Sequence, residues 1–352
     1  MPQNSKRSSV LGWPDWADPL ATERLRECLR NNHIGHAYLL AGPKGVGKAD
    51  LALAFAQSIC CTTVMQGDAS QACGECRACR NVDRGAHPDV ETFDLESQSA
   101  LIDKGSSRAS LSIETVRSLR SSASLLPLES SRRILIIDDA ETLLHPAQQA
   151  LLKTLEEPPA MVTLLLLSDE PETLLETVRS RCQQIPVRPR PEVAISSFLM
   201  ERGVEATLAR EVAVLSRGCP AWARAAAVEG TMLKARRAEW DAATTWIDAS
   251  RYNRLVTAFT MGERFGKKRS DVLAVVQTVV QILRARMIDA AAGAEEVAAP
   301  TGATGVKNSP LAISRSITAS LQCLSDLEAN VRPRLALETM VMQWPNLELQ
   351  QA

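Results

Sequence analysis

The stretch "HAYLLAGPKGVGKADLALAFAQSI" at residues 36–59 decides the fold. Its first part, residues 36–42, is a short apolar run ending in glycine, which indicates a buried strand. Its last part, residues 48–59, is rich in helix-forming residues and indicates a helix. Strand, glycine-rich loop and helix, in this order, are the context in which such a loop cradles phosphate.

The loop between the strand and the helix matches the phosphate-binding pattern G-x-x-x-x-G-K-[ST] except at its last position. Backbone N–H groups at a helix N-terminus attract phosphate through hydrogen bonds and the helix dipole, and Lys48 would reach the outer phosphates. Ala49 replaces the Ser or Thr whose hydroxyl helps to hold magnesium. The candidate nucleotide-binding residues are Gly42, Pro43, Lys44, Gly45, Val46, Gly47, Lys48 and Ala49.

A second buried strand, predicted at residues 132–141, contains the acidic pair Asp138-Asp139. A carboxylate after four apolar residues is typical of a magnesium ligand. Asp139 stands where ATPases often carry the longer Glu that positions the attacking water, and a displacement near 1 Å costs on the order of a hundredfold in rate. With Ala49, this indicates a degenerate site with poor turnover, and it leaves open whether ATP or ADP is bound with Mg²⁺. An active ATPase and a simple strand-to-helix turn remain alternatives.

The remaining pattern divides the chain into an α/β part and an all-helical part. A third apolar strand is predicted at residues 161–170, and alternating strands and helices favour a parallel α/β sheet. Beyond residue 190 the strand signals end. The predicted divisions are an N-terminal segment (1–20), a nucleotide-binding domain (21–189) with a cysteine-rich module (60–80), a small helical domain (190–245) and a second helical domain (246–352).

The cysteine-rich module contains Cys73, Cys76 and Cys79 at two successive C-x-x-C spacings. One further thiolate, from Cys61 or Cys60, would complete a tetrahedral zinc site, and Cys61 is preferred because it lies nearer the intervening loop. Four protein ligands leave no open position, so the zinc would be structural. A redox-active C-x-x-C pair and simple burial of the thiols remain alternatives.

Charge and hydropathy exclude some classes of function. The net charge is −1, so no global basic field points to nucleic acid. No run of 18 apolar residues is present, which predicts no membrane span. The start of the chain, "MPQNSKRSSVLGWPDW", lacks the apolar core of a signal peptide. We therefore expect a cytoplasmic protein.

Several motifs, in family order along the chain, resemble those of the delta-prime family of bacterial DNA polymerase III clamp-loader subunits, within the AAA+ superfamily. The stretches that carry the likeness are GHAYLLAGPKGVGK (35–48), CGECRACR (73–80), HPDV (87–90), RRILIIDDAETL (132–143), ALLKTLEEPP (150–159) and VRSRCQQI (178–185). The resemblance is specific across roughly residues 20–190. It implies an AAA+ P-loop domain with a parallel sheet, followed by a helical lid domain and an all-α collar domain that holds a ring of subunits together.

The resemblance also implies roles for individual residues. Ser180-Arg181-Cys182 is similar to the signature that supplies an arginine finger to the ATP site of a neighbouring subunit. A guanidinium suits this work because it is permanently charged, planar and able to donate two parallel hydrogen bonds to phosphate oxygens. The implied catalytic residues are Arg181, acting in trans, with Asp138, Asp139 and the polar sensor Ser168.

The resemblance implies a subunit of a hetero-pentamer with gamma/tau and delta subunits, which opens a ring-shaped sliding clamp and places it on primed DNA. Such a subunit has no polymerase chemistry of its own and little intrinsic ATPase activity, and it meets DNA through the assembled complex. The gamma/tau motor subunits share most of these motifs and are the alternative. In the motors the phosphate loop ends in Ser or Thr and the acidic pair reads D-E, so Ala49 and Asp139 favour the delta-prime type.

Overall fold

A computed structural model describes residues 12–63, 70–101, 110–266, 268–292, 310–329 and 331–344. The chain divides into two compact units, residues 1–225 and residues 226–352. Most of the N-terminal segment predicted at residues 1–20 lies outside the described residues. The other predicted domain boundaries, at residues 189 and 245, stay predictions.

The first unit is built on a parallel sheet of five strands with the spatial order β2-β3-β4-β1-β5. The parallel α/β sheet predicted from the alternation of strands and helices is therefore confirmed. The strands are β1 (Ala37–Ala41), β2 (Val90–Phe93), β3 (Arg133–Ile137), β4 (Val162–Ser168) and β5 (Gln183–Pro186).

Helices cover both faces of this sheet, which is why its central strands are continuously apolar. Leu39 of β1 belongs to a buried cluster with Leu119 and Leu151 on one face, whereas Tyr38 packs edge-on against Phe55 on the other, with ring centroids 5.3 Å apart. The helices of this unit are α1 (Pro19–Arg30), α2 (Lys48–Cys60), α3 (Arg77–Asp83), α4 (Leu95–Leu101), α5 (Ile113–Ala123), α6 (His145–Glu156), α7 (Glu176–Arg179), α8 (Glu192–Glu201), α9 (Ala206–Leu215) and α10 (Pro220–Val228), the last of which crosses into the second unit.

The strand register brings the candidate site residues to one edge of the sheet. β4 lies between β1 and β3, with Ala41 opposite Ser168 and Ile137 opposite Leu166. Because parallel strands end at the same edge, the loop after β1, the acids after β3 and the residues after β4 meet there. The order of the strands makes β4, rather than β3, the direct neighbour of the phosphate loop.

The second unit is helical throughout the described residues. Its core packs Trp246 against Trp344, with ring centroids 5.3 Å apart, and against the buried side chains of Val276 and Leu337. The helices are α11 (Gly230–Asp248), α12 (Arg251–Arg264), α13 (Arg269–Ala292), α14 (Pro310–Glu328) and α15 (Pro333–Met342). Among the helices described in either unit, none combines the length and the apolar character needed to cross a bilayer.

Candidate functional site

The phosphate loop has the backbone geometry that its glycines predict. Gly45 and Gly47 have φ angles of 80° and 106°, in the left-handed region that favours glycine. The N–H of Val46 donates to the carbonyl of Pro43 at 3.1 Å, which closes the turn, and α2 begins at Lys48. The loop therefore stands at the N-terminus of a helix, as a phosphate cradle does.

Lys48 is held by groups of its own chain. Its Nζ atom lies 2.5 Å from Oδ1 of Asp169, 2.7 Å from the carbonyl oxygen of Gly42 and 3.3 Å from that of Pro43. The Lys48 side chain is 8% exposed. Sequence reasoning missed Asp169, and the only signal for it was its place directly after Ser168 at the end of β4.

The predicted acids are Asp138 and Asp139, and only the carboxylate of Asp139 lies close to that of Asp169, the partner of Lys48. Asp139 has a φ of 50°, and its carboxylate converges with those of Glu141 and Asp169, with one oxygen of each within 4.8 Å of the others. Glu141 and Asp169 were not predicted as site residues. Asp138 lies outside this group; its Oδ1 accepts the N–H of Asp139 at 3.1 Å.

Ser168, the predicted sensor, is fully buried at the end of β4, where its carbonyl accepts the N–H of Gly42 at 3.1 Å. Glu141 accepts the backbone N–H of Asp169 at 3.1 Å. Burial, and then the charge of Asp169, raise the pKa of Glu141. The edge of the sheet thus combines several carboxylates with Lys48 of the loop.

The residues of this edge do not fit a magnesium nucleotide well. Ala49 offers no hydroxyl to a metal, and the three N–H groups of the Lys48 ammonium already have acceptors within the chain. The backbone cradle is present, but its cation is already paired.

Arg181, the predicted finger, lies on the surface of the first unit between α7 and β5. Its Nη2 atom lies 2.7 Å from Oε1 of Glu156, and Nη1 donates to the carbonyl of Thr177 at 2.9 Å. The side chain is 36% exposed. The guanidinium is therefore oriented by its own chain but open to solvent.

The four predicted zinc ligands come together in space. The Sγ atoms of Cys61 and Cys73 are 3.6 Å apart, those of Cys73 and Cys79 3.9 Å, and those of Cys76 and Cys61 4.0 Å. A tetrahedral ion with Zn–S bonds of about 2.3 Å places its sulfurs about 3.8 Å apart. The cluster therefore fits a zinc ion, and Cys60 lies outside it.

The electrostatics of the cluster differ from those of the neighbouring thiol. Burial raises the pKa of Cys76, but hydrogen bonds from the N–H groups of Cys79 and Thr62 outweigh it, and the pKa is lowered to about 6. Burial raises the pKa of Cys60 to about 12. Within the cluster the pKa of Cys73 is also lowered, with a side-chain hydrogen bond to Thr63 as the largest cause, whereas burial raises the pKa of Cys79. Cys76 therefore favours the thiolate, which is the form that binds metal, and Cys60 is a buried thiol outside the cluster.

Comparison with known proteins identifies relatives of this chain. The family model described as "DNA polymerase III, delta subunit" matches residues 17–191. The DNA polymerase III subunit delta' of Bacillus subtilis is 32% identical over 206 residues, which is 58% of this chain and 58% of that protein. The subunit delta' of Pseudomonas aeruginosa is 35% identical over 227 residues, which is 60% of this chain and 65% of that protein.

A motor-type relative is also similar. The DNA polymerase III subunit tau/gamma of Haemophilus influenzae is 33% identical over 171 residues, which is 49% of this chain and 23% of that protein. The matching regions span less than two thirds of each of these three relatives.

Proposed function

We propose that this chain is a clamp-loader AAA+ protein and acts as the delta-prime subunit of a DNA polymerase III clamp loader, as its similarity to delta' and tau/gamma subunits supports. In this role it joins gamma/tau and delta subunits in a hetero-pentamer in the cytoplasm. The pentamer loads a sliding clamp onto primed DNA, and this chain meets the clamp and the DNA as part of that assembly.

The observation that carries the proposal is the position of Arg181. Its guanidinium is open to solvent, and among the residues that the structure describes it contacts the exposed Glu156 and the carbonyl oxygen of Thr177. In the ring it would donate paired hydrogen bonds to phosphate oxygens of a nucleotide bound by the adjacent motor subunit. Its fixed charge would stabilise the charge that develops on those oxygens during hydrolysis.

The chain's own nucleotide site supports a non-motor role. Ala49 removes a magnesium ligand, Asp139 is shorter than the usual Glu, and Lys48 is paired with Asp169. We therefore expect little or no ATPase activity from the isolated chain. The alternative is an active gamma/tau-type motor, since the Haemophilus influenzae tau/gamma subunit is also similar, with 33% identity over 171 residues.

The four-cysteine cluster complements this role as a structural zinc site. Cys61 follows α2, the helix that begins at the phosphate loop, and Cys76 precedes α3. A zinc ion bound by four thiolates has no open coordination position and supplies cross-linking rather than catalysis. The ion would hold α2 and α3 together at the side of the sheet.

A reconstituted ring tests the finger assignment. All motor subunits except the one adjacent to Arg181 carry inactivated ATP sites, so the turnover reports one interface. We expect Arg181→Ala to lower that turnover by roughly 10³-fold or more. Arg188→Ala, which removes an exposed arginine of the same unit, is the matched control and should leave turnover unchanged.

Two results would count against the proposal. Unchanged turnover in the Arg181→Ala ring would remove the finger role. Brisk ATP hydrolysis by the isolated chain, measured at steady state with clamp and primed DNA, would favour the gamma/tau-type alternative.

A further inference from the structure

The phosphate loop is filled by groups of the same chain. An ammonium has three N–H donors, and Lys48 directs its three at the carbonyl oxygens of Gly42 and Pro43 and at Oδ1 of Asp169. The ion pair with Asp169 is the shortest of these contacts, at 2.5 Å, and the Lys48 side chain is only 8% exposed. In a working phosphate loop this lysine contacts the outer phosphates of the nucleotide. Here a carboxylate takes the place of that phosphate.

The charge around Asp169 opposes a polyanionic ligand. The carboxylates of Asp139 and Glu141 converge with that of Asp169, with one oxygen of each within 4.8 Å of the others. Lys48 is the cation that contacts this group in the described part of the chain. One positive charge beside three acids leaves an unfavourable field for a triphosphate entering the loop, since like charges at such distances repel strongly in a partly buried site.

Two tryptophans press on the glycines of the loop. A Cβ atom added at Gly45 would lie 2.8 Å from Cβ of Trp222, and one added at Gly47 would lie 2.6 Å from the Trp16 ring. The backbone N–H of Trp222 donates to the carbonyl of Gly45 at 3.0 Å. The loop is therefore packed against the Trp16 ring and against the Cβ and backbone atoms of Trp222, and its Lys48 is paired with Asp169.

Arg224 joins these contacts to the helix that follows the loop. It pairs with Asp50 in the first turn of α2 at 3.1 Å, and its guanidinium lies 5.0 Å from the centre of the Trp16 ring. The loop, Trp16 and the start of α10 form one connected set of contacts within the first unit.

We infer that the carboxylate of Asp169 is an internal counter-anion that takes the place of nucleotide phosphate on Lys48. The phosphate loop then serves as a packing contact between α2, Trp16 and α10 and does not bind nucleotide. This inference rests on the proposed function only in treating the site as degenerate. Asp169 itself lies outside the phosphate-loop motif, directly after β4. The loop has a structural role because it packs against Trp16 and α10, and the anion that its lysine binds is the Asp169 carboxylate of the same chain.

Titration of the purified full chain with ATP plus Mg²⁺, and separately with inorganic tripolyphosphate, tests this by calorimetry. The wild-type chain should bind neither ligand. Asp169→Asn keeps the shape and one oxygen acceptor but removes the charge, and Asp169→Ala frees the ammonium completely. We expect both variants to gain affinity for tripolyphosphate, by about tenfold or more, and the gain to disappear when Lys48→Ala is added.

Glu170→Gln is the matched control, because it removes an exposed neighbouring carboxylate that does not contact Lys48, and it should behave as wild type. Tight ATP binding by the wild-type chain would overturn the inference, whether or not the Asp169 variants fold. Folded Asp169 variants with no gain would overturn it too. Loss of turnover in the Arg181→Ala ring does not depend on these titrations, so the failure of one conclusion is distinguishable from the failure of the other.

Discussion

The guanidinium of Arg181 lies 2.7 Å from a carboxylate oxygen of Glu156, across the short distance between the end of α6 and the turn after α7. The two side chains are 36% and 49% exposed. An ion pair this exposed contributes about 0 to 1 kcal/mol to stability. The contact with Glu156 thus orients Arg181 but is weak. Phosphate oxygens can replace the Glu156 carboxylate, because they make strong charge-assisted hydrogen bonds to a guanidinium.

Glu156→Gln should therefore change little. We expect the free energy of unfolding to fall by no more than about 1 kcal/mol, because solvent already screens the pair. Turnover at the adjacent motor site should change far less than it does with Arg181→Ala. Urea unfolding of the chain and the single-interface ring assay measure the two effects, with Glu157→Gln as the control. A loss of stability near 3 kcal/mol would show that the pair is a structural link rather than an exchangeable one.

Zinc content gives a second prediction. The Sγ distances of 3.6 to 4.0 Å within the cluster predict about one zinc ion per chain. Cys76→Ser should abolish binding because three thiolates and a hydroxyl no longer form the site. Elemental analysis of the purified chain measures the metal, and Cys28→Ser, which changes a thiol outside the cluster, should retain it. Metal-free wild-type protein prepared in zinc-supplemented medium would contradict the assignment.

Sequence reasoning found β1, β3 and β4 because both faces of these strands are covered and their residues are therefore apolar throughout. It did not find β2 or β5. These are the edge strands, and Gln183–Pro186 buries only Ile185, so no apolar run announces them. Whether a strand could be predicted from its sequence therefore depended on its position in the sheet, central or at the edge.

The parts of the site that depend on a local sequence motif could be predicted, whereas those that depend on the order of the strands in the sheet could not. The spacing of Cys73, Cys76 and Cys79 is a local property, and it was enough to indicate a metal site. The partner of Lys48 depends on which strand lies next to β1. The sheet order places β4 there, so Asp169 reaches the lysine, and no local pattern in the sequence carries that order.

A buried carboxylate organises the loop before β3. Asp89 is fully buried and accepts the backbone N–H groups of Leu128 at 2.6 Å and of Glu129 and Ser130 at 2.8 Å each. Burial raises the pKa of Asp89, but these hydrogen bonds outweigh it and the pKa is lowered. Because the folded-state pKa is the lower one, the carboxylate stabilises the fold above its unfolded pKa of about 3.9. That contribution is lost as the pH falls from there through the folded-state pKa.

Asp89→Asn should lower the free energy of unfolding by about 2 to 3 kcal/mol at neutral pH, because an amide cannot accept all three N–H groups. The variant should also lose the part of the acid sensitivity that Asp89 causes below about pH 3.9. Amide hydrogen exchange across residues 124–131 measures the local effect, and urea unfolding at several pH values measures the global one. Asp15→Asn removes a 64% exposed carboxylate of the same unit and is the control. Equal effects of the two substitutions would show that Asp89 does not hold the loop.

In the second unit, α12 and α15 lie close together at Gly262. A Cβ atom added there would lie 2.6 Å from Cα of Arg334 and 2.9 Å from its Cβ. Backbone atoms are among the close neighbours, so a rotamer change cannot relieve the overlap. The glycine is therefore required by the packing of the two helices rather than by its own backbone conformation.

Gly262→Ala should lower the free energy of unfolding of this unit by about 1 to 3 kcal/mol, although alanine in an unobstructed helix interior is favoured by about 0.5 to 1 kcal/mol. Gly230→Ala is the matched control, because a Cβ at Gly230 meets no atom within 4 Å. Thermal unfolding followed by the indole N–H NMR signals of Trp246 and Trp344, which pack at 5.3 Å in this core, reports this unit separately from the tryptophans of the first unit. We expect Gly262→Ala to lower the midpoint and Gly230→Ala to leave it unchanged or raise it. Similar midpoints for the two variants would mean that α12 and α15 do not make this close approach in solution.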